Sequence, residues 1–432
     1  ALRRFQAVAE GLGLPPLIAI ATAAMREAED GPDFCAEVAR ETGLTIRVID
    51  GPEEARLSAQ GVLLGWPDAY GLVCDIGGSS MELAEVSNGA VGRCVTSALG
   101  PLKLAAMADN RKALQRHIKA ELRTLSETMG PQHDRLFLVG GSWRAIARID
   151  MERRGYPLHV LHEYRMTIDD VMDTVDYITQ ADLSDLRART RLSATRMALV
   201  PLAAEVLKQV VRVFAPHDIA TSSYGIREGM LYEQMPQPLR DRDPLLEAAR
   251  FAETREARFP GFGATLFTFV QPLFPDAGPQ RMRIIQAACL LHDVSWRAHP
   301  DYRAETCFDN ATRANLGGLR HWERVFLGLA LMHRYRNKVA GTRFAALSDL
   351  LTEQDRKQAE VLGRAMRFGA MLWLPPDQSN AARLTLLHDD GGMRLRLTLA
   401  PEARALFGEV AEVRFASLAS ALEAAPEVVT TR

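Results

Sequence analysis

The sequence predicts an α/β region, then an all-helical domain, then a small α+β unit. Three observations carry this reading. Apolar runs end in small residues at three places, residues 72–83, 135–149 and 217–231, as strands feeding a sheet do. After Tyr232 a proline- and charge-rich connector, MPQPLRDRDP, opens a stretch from Leu245 to about Trp373 that reads almost wholly as helix. From Ala382 to Arg432 the period shortens to two around Asp390-Gly391-Gly392, then gives way to helix and strand fragments.

The first elements follow in order. Leu2, Phe5, Val8 and Leu12 share one face of a helix, and because no initiator methionine or leader precedes it, the chain reads as starting inside a domain. A buried strand over 17–21 turns into a helix carrying Arg26, and Asp30-Gly31 breaks the chain before a second helix that ends near Gly43. A strand over 45–49 runs into DGPEEARL, where Pro52 suits a first helical position. Glu53 and Glu54 then lie in the first turn, favoured by the helix dipole as a well-charged start or kept there for chemistry.

LVCDIGGSSMEL, residues 72–83, reads as strand, tight loop and strand, and turn residues 87–89 extend it to a β-meander. Gly77 and Gly78 leave the backbone N–H groups open to phosphoryl oxygens, and the Ser79 and Ser80 hydroxyls add donors. Asp75 and Glu82 flank the loop as hard oxygen ligands for Mg²⁺. The same residues also suit a plain hairpin turn. In RLFLVGGSWRAIARI a strand ends at Gly140-Gly141 and Ser142 caps a helix, whose N-terminus suits phosphate or is simply a tight strand-to-helix turn.

Composition narrows the function. The chain has 432 residues and a net charge of −2, which gives no case for a nucleic-acid or basic membrane-surface binder. No apolar run approaches the roughly 20 residues of a membrane span. The five cysteines are widely spaced without a CxxC pair, so neither a disulfide frame nor a zinc site is indicated and a cytoplasmic location is expected.

ATAAMREAEDGPDF, GPEEARL, DIGGSSMEL, VGGSWRAIAR, SSYGIREGML and AACLLHDVSWRAHPDYRAE, in this order, resemble the exopolyphosphatase and guanosine pentaphosphate phosphohydrolase (Ppx/GppA) family. That resemblance implies two actin-like (ribonuclease H-like) lobes, 1–60 and 61–236, a helical HD-like domain at 242–375 and the α+β unit at 382–432. It implies Glu54 as catalytic base, Asp75 and Glu82 as magnesium carboxylates, and Gly77, Gly78 and Ser79 as a phosphate loop faced by Arg26. It further implies a homodimer. Ser79 and Met81 replace the family's third glycine and threonine, and the family's opening strand with its DxGSNS-type loop does not precede Ala1, which leaves half the usual phosphate clamp.

The reaction so implied is exopolyphosphatase hydrolysis, in which Glu54 deprotonates a water that attacks the terminal phosphorus of inorganic polyphosphate. Arg26, Lys103 and Arg144 would hold the remaining polyanion. Guanosine pentaphosphate is the alternative substrate, and a non-catalytic polyphosphate or alarmone sensor is the alternative class. An actin-like kinase would need an adenine pocket, which the bulky Trp143 and Arg144 oppose. In the helical domain His292-Asp293 looks like half of an HD metal site, but residues 243–286 hold no histidine. The pair is therefore expected to be hydrogen-bonded inside the bundle rather than metal-bound.

Overall fold

The computed structural model describes residues 1–130, 134–337, 339, 341–372, 381–389 and 392–431. They form two compact units, Ala1–Asp241 and Arg242–Arg432. Among the described residues no helix is long and apolar enough to cross a membrane.

In the first unit β1 (Ala19–Ala21) and β2 (Ile46–Val48) pair in parallel as a separate two-stranded sheet. β1 is half-buried rather than buried, because only one partner strand flanks it. The main sheet has six strands: β3 (Gly71–Ile76), β4 (Met81–Ser87), β5 (Ala90–Ser97), β6 (Arg135–Val139), β7 (Arg165–Met166) and β8 (Asp218–Thr221). Their spatial order is β5-β4-β3-β6-β8-β7. β3, β4 and β5 form the antiparallel meander, with Asn88 and Gly89 at positive φ in its second turn, while β3, β6 and β8 run parallel.

Alternation along the strands decides where the carboxylates point. Leu72, Cys74 and Ile76 of β3 and Met81 and Leu83 of β4 pack into the large core on one face of the sheet. Val73, Ala84 and Val86 pack on the other face, against Ala55, Ala59, Val62 and Leu63 of the Gly51–Gly65 helix. Asp75 and Glu82 are in phase with this second set, so both face that helix. The helix runs through residue 60, where the sequence reading divides the lobes, and it is held close to the Ile226–Gln234 helix by glycines. A Cβ on Gly61 would lie 2.2 Å from the Gly225 carbonyl oxygen, and one on Gly229 would lie 1.8 Å from that of Leu57.

Two local expectations are corrected. The Gly51–Gly65 helix is capped by Asp50, whose side chain accepts from the Glu53 N–H at 2.8 Å, so Pro52 takes the second helical position rather than the first. The Gly141–Arg153 helix has Gly140 as its N-cap, and Ser142 lies inside the first turn without capping it.

The second unit is helical from Pro244 to Leu372, and Pro244, Pro279 and Pro300 each stand in the first turn of a helix, where a missing N–H costs nothing. β9 (Ala382–Asp389) and β10 (Gly392–Leu399) are antiparallel, and β11 (Ala425–Thr430) returns parallel to β10 after the Glu409–Ala421 helix. Asp390 and Gly391, where the sequence puts the turn, lie outside the described residues, as do residues 373–375 at the end of the helical stretch.

Candidate active site

Three carboxylates are buried between the β3–β4 hairpin and the Gly51–Gly65 helix. Asp75 and Glu82 are directly opposite each other across the hairpin, so their side chains stand side by side. Two like charges at such a pair destabilise a sheet unless something compensates them. From the helix, Glu54 and Ser58 are four residues apart and therefore share a face. Ser58 donates to Asp75 Oδ2, which brings Glu54, one turn earlier, over the same pair. Exposure is 5% for Glu54, 8% for Asp75 and 1% for Glu82.

The electrostatics follow from this crowding. Burial, and then the charge of Asp75, raise Glu54 to a pKa of about 7, with Arg26 opposing. Burial and then Glu54 raise Glu82 to about 8, against hydrogen bonds from Ser80 and Thr96. The Thr96 hydroxyl, opposite Glu82 on β5, donates to its Oε1 at 3.0 Å. Asp75 is also raised, chiefly by burial, with Ser58 and Arg144 opposing. Glu54 Oε2 and Glu82 Oε2 are buried without hydrogen-bond partners among the described residues. Such orphaned oxygens in a carboxylate cluster fit a hard cation. Among the described residues, however, no three His, Cys, Asp or Glu side chains form a closed metal cage. An ion held by one or two carboxylates, with water and phosphate completing its shell, matches this donor set and is the usual mode for Mg²⁺.

The loop expected to cradle phosphate is a tight turn in which the Gly77 N–H donates to the Ser80 carbonyl at 3.0 Å. The Gly78 carbonyl accepts from the Leu102 N–H at 2.8 Å, and the Gly78 and Ser79 N–H groups donate to no protein acceptor among the described residues. Nothing in the fold demands glycine at 77: its φ is ordinary, and the nearest atom to an added Cβ is 3.5 Å away. The missing side chain opens space rather than relieving strain. Gly140 is different, because it has φ +108 and a Cβ there would lie 2.4 Å from the Ile76 carbonyl oxygen. At Gly141 a Cβ would strike the Arg196 guanidinium at 1.8 Å. Backbone packing therefore accounts for Gly140, whereas the atoms in the way at Gly141 are the movable end of the Arg196 side chain.

The basic residues divide. Arg26 Nη1 donates to the Ile49 carbonyl at 2.6 Å and stands 3.7 Å from Glu54 Oε2. Lys103 is engaged at the surface with Glu27 at 2.7 Å. Arg144 acts electrostatically on Asp75 and is itself crowded by Arg196 and Arg227. Sequence reasoning missed Arg196 and Arg227, which come from distant segments. It also missed Ser58, Thr96 and Thr22, whose side chain hydrogen-bonds Glu54, although the Glu54–Ser58 spacing was a usable signal for the first. Trp143 does not border a nucleotide pocket: it is fully buried in the large core and donates to the Cys74 carbonyl at 3.1 Å.

In the second unit, His292 Nδ1 lies 2.8 Å from the Cys289 carbonyl, and Asp293 accepts from Arg258 Nη2 at 2.6 Å and Nε at 2.9 Å. The pair is buried and engaged by protein groups.

The site is thus a buried carboxylate trio on a mixed sheet, beside an open glycine-serine turn. The chain belongs to the Ppx/GppA phosphatase family, which matches residues 1–238, and residues 252–422 match the family described as exopolyphosphatase, C-terminal. It is 24% identical over 373 residues to Retrograde regulation protein 2 of Saccharomyces cerevisiae, a match covering 78% of this chain but only 62% of that protein. Exopolyphosphatase 1 of Mycobacterium leprae is 25% identical over 246 residues, 54% of this chain and 71% of the relative. Guanosine-5'-triphosphate,3'-diphosphate pyrophosphatase of Aeromonas hydrophila is 23% identical over 421 residues, 92% of this chain and 81% of the relative.

Proposed function

We propose that the first unit hydrolyses terminal phosphoanhydride bonds, with Glu54 as general base. The observation that carries this is a buried carboxylate one helical turn from the serine that holds Asp75, beside a second carboxylate on the adjacent strand, with its pKa pushed up by burial. A base whose pKa lies near the working pH is both deprotonated often enough and basic enough to be effective. Glu54 takes a proton from water as the water oxygen bonds to the terminal phosphorus. The bridging P–O bond breaks, and the shortened phosphate chain leaves with its electron pair. The free Gly78 and Ser79 N–H groups and Arg144 offset charge on the equatorial oxygens. A divalent cation, Mg²⁺ or another, would be held by Asp75 and Glu82 and would supply neutralisation of the phosphate's charge.

Inorganic polyphosphate is the substrate we assign, and the exopolyphosphatase match over residues 252–422 supports it. Guanosine pentaphosphate is the second reading, favoured by the Aeromonas relative's name and its long overlap. A sensor is the third, favoured by the yeast relative's name, but a sensor has no use for a base poised near neutrality. We read the two units as actin-like lobes followed by an HD-like helical domain and the small α+β unit, acting as a homodimer in the cytoplasm. Phosphate release from long-chain polyphosphate and from guanosine pentaphosphate, assayed side by side with Mg²⁺, tests the assignment. Faster release from polyphosphate is expected; tight binding of either compound without release would favour the sensor.

A further inference from the structure

The second unit contains a cavity of about 390 Å³ for which hydrolysis at Glu54 has no use. Its charge is lopsided. Four guanidinium groups line it, from Arg258, Arg334, Arg367 and Arg414, against one carboxylate, Asp293. Asp293 is already committed to the forked bond from Arg258, with Arg334 Nη2 at 3.6 Å. His292, also in the wall, does not add an anion: burial first, then Arg334, push its pKa down to about 3, so it is neutral.

Arg334 shares Asp293 with Arg258, and among the described residues Arg367 and Arg414 make no ion pair. Among the described residues Arg367 donates to the Asn337 side-chain oxygen, at 3.2 Å, and Arg414 makes no ion pair or hydrogen bond. Arg334 is about nine-tenths buried, and its Nε has no hydrogen-bond partner among the described residues. The proton affinity of Arg367 is lowered by burial and by the neighbouring Arg414, Arg334 and Arg364. Like charges gathered in a concavity destabilise a protein that gains nothing from them. Guanidinium groups are also the side chains best shaped to grip phosphate with paired N–H bonds.

The rest of the wall is apolar. Phe259, Met371 and Val410 line the cavity yet remain well exposed, and Tyr335 stacks its ring on Arg334 at 4.5 Å. A bare inorganic anion would make no use of these surfaces. The volume falls in the roughly 300–1,000 Å³ range of small-molecule sites, far larger than one phosphate group needs. We propose that this cavity binds an organic phosphate, two or more negative charges on the arginines and a flat or apolar group against Phe259, Met371 and Val410, the chemistry of a nucleotide. Asp293 serves in this site as the anchor that orients Arg258 and Arg334, which explains why it is not free for a metal.

The test is calorimetric titration of the full chain, in a Glu54→Gln background to suppress turnover, with ATP, GTP, inorganic tripolyphosphate and inorganic phosphate. A nucleoside triphosphate should bind at least tenfold more tightly than tripolyphosphate, and Arg414→Gln should weaken it at least tenfold. Arg367→Gln serves as the second variant should Arg414→Gln fail to fold. Because each substitution relieves repulsion, the ligand-free variants should melt at or above the parent's temperature, which a purely structural arginine would not do. No nucleotide binding at millimolar concentration, binding unaffected by both arginine variants, or tripolyphosphate bound as tightly as ATP would each overturn the proposal.

Discussion

Glu54 and Glu53 are adjacent in sequence and opposite in circumstance. Glu53 lies partly exposed beside Arg47 at 3.3 Å and Arg56 at 3.6 Å, whereas Glu54 is buried against two other carboxylates. Glu53→Gln should therefore leave phosphate release near the parental rate. The raised Glu54 and Glu82 also set a pH dependence of stability. Between the ordinary glutamate value of 4.5 and about 7 to 8, the folded protein holds protons that the unfolded chain has released. These two groups thus make the metal-free protein lose stability as pH rises through that window. Added Mg²⁺ should raise the melting temperature more at pH 8 than at pH 5, where Glu54 and Glu82 are protonated. Thermal melts at the two pH values check this, and an equal shift at both would argue against a carboxylate-held cation. Which glutamate mattered was not legible from charge or dipole arguments, since both occupy the same helical turn. The resemblance singled out Glu54, and only packing against β3 and β4 supplies a physical reason.

At the scale of elements, the meander and the three strand-and-small-residue units were legible because alternation and turn residues are local signals. Asp75 and Glu82 were legible too, as acids interrupting apolar strands. Less visible was how differently the glycines are used. Gly77 is not required by the backbone, whereas Gly140 and Gly229 are demanded by backbone atoms within 2.4 Å of where a Cβ would sit. Gly229→Ala should destabilise the first unit by about 1–3 kcal/mol or more, the usual penalty of overpacking. Gly77→Ala should leave the melting temperature within a degree or so while lowering phosphate release, because its methyl would occupy ligand space. Unfolding curves and phosphate assays on the two variants separate these outcomes; a Gly77→Ala protein with full activity would remove the turn from the site. Arg196 lies over Gly141 by virtue of a contact between segments some fifty residues apart, and no local pattern announces such a pairing.

At the scale of the whole molecule, the change of character after Tyr232 was legible, and the two compact units divide at Asp241. The basic cavity was not, because its four arginines come from four separate segments and each, taken singly, reads as a surface residue. The second unit also carries an acid-sensitive group. His292 is held neutral with a pKa near 3, below its ordinary 6.5, so the unfolded chain binds the extra proton first as pH falls. Its contribution is complete above about pH 6.5 and is lost progressively as pH drops toward 3. Acid unfolding of the parent should accordingly be steeper over that range than that of His292→Gln. The central claim, that Glu54 is the base for phosphoanhydride hydrolysis, is tested most directly by the rate of phosphate release from long-chain polyphosphate by the parent and by Glu54→Gln. The loss of a positioned base should lower turnover by about 10²–10⁴ while folding and polyphosphate binding persist. Release by Glu54→Gln at the parental rate would contradict it.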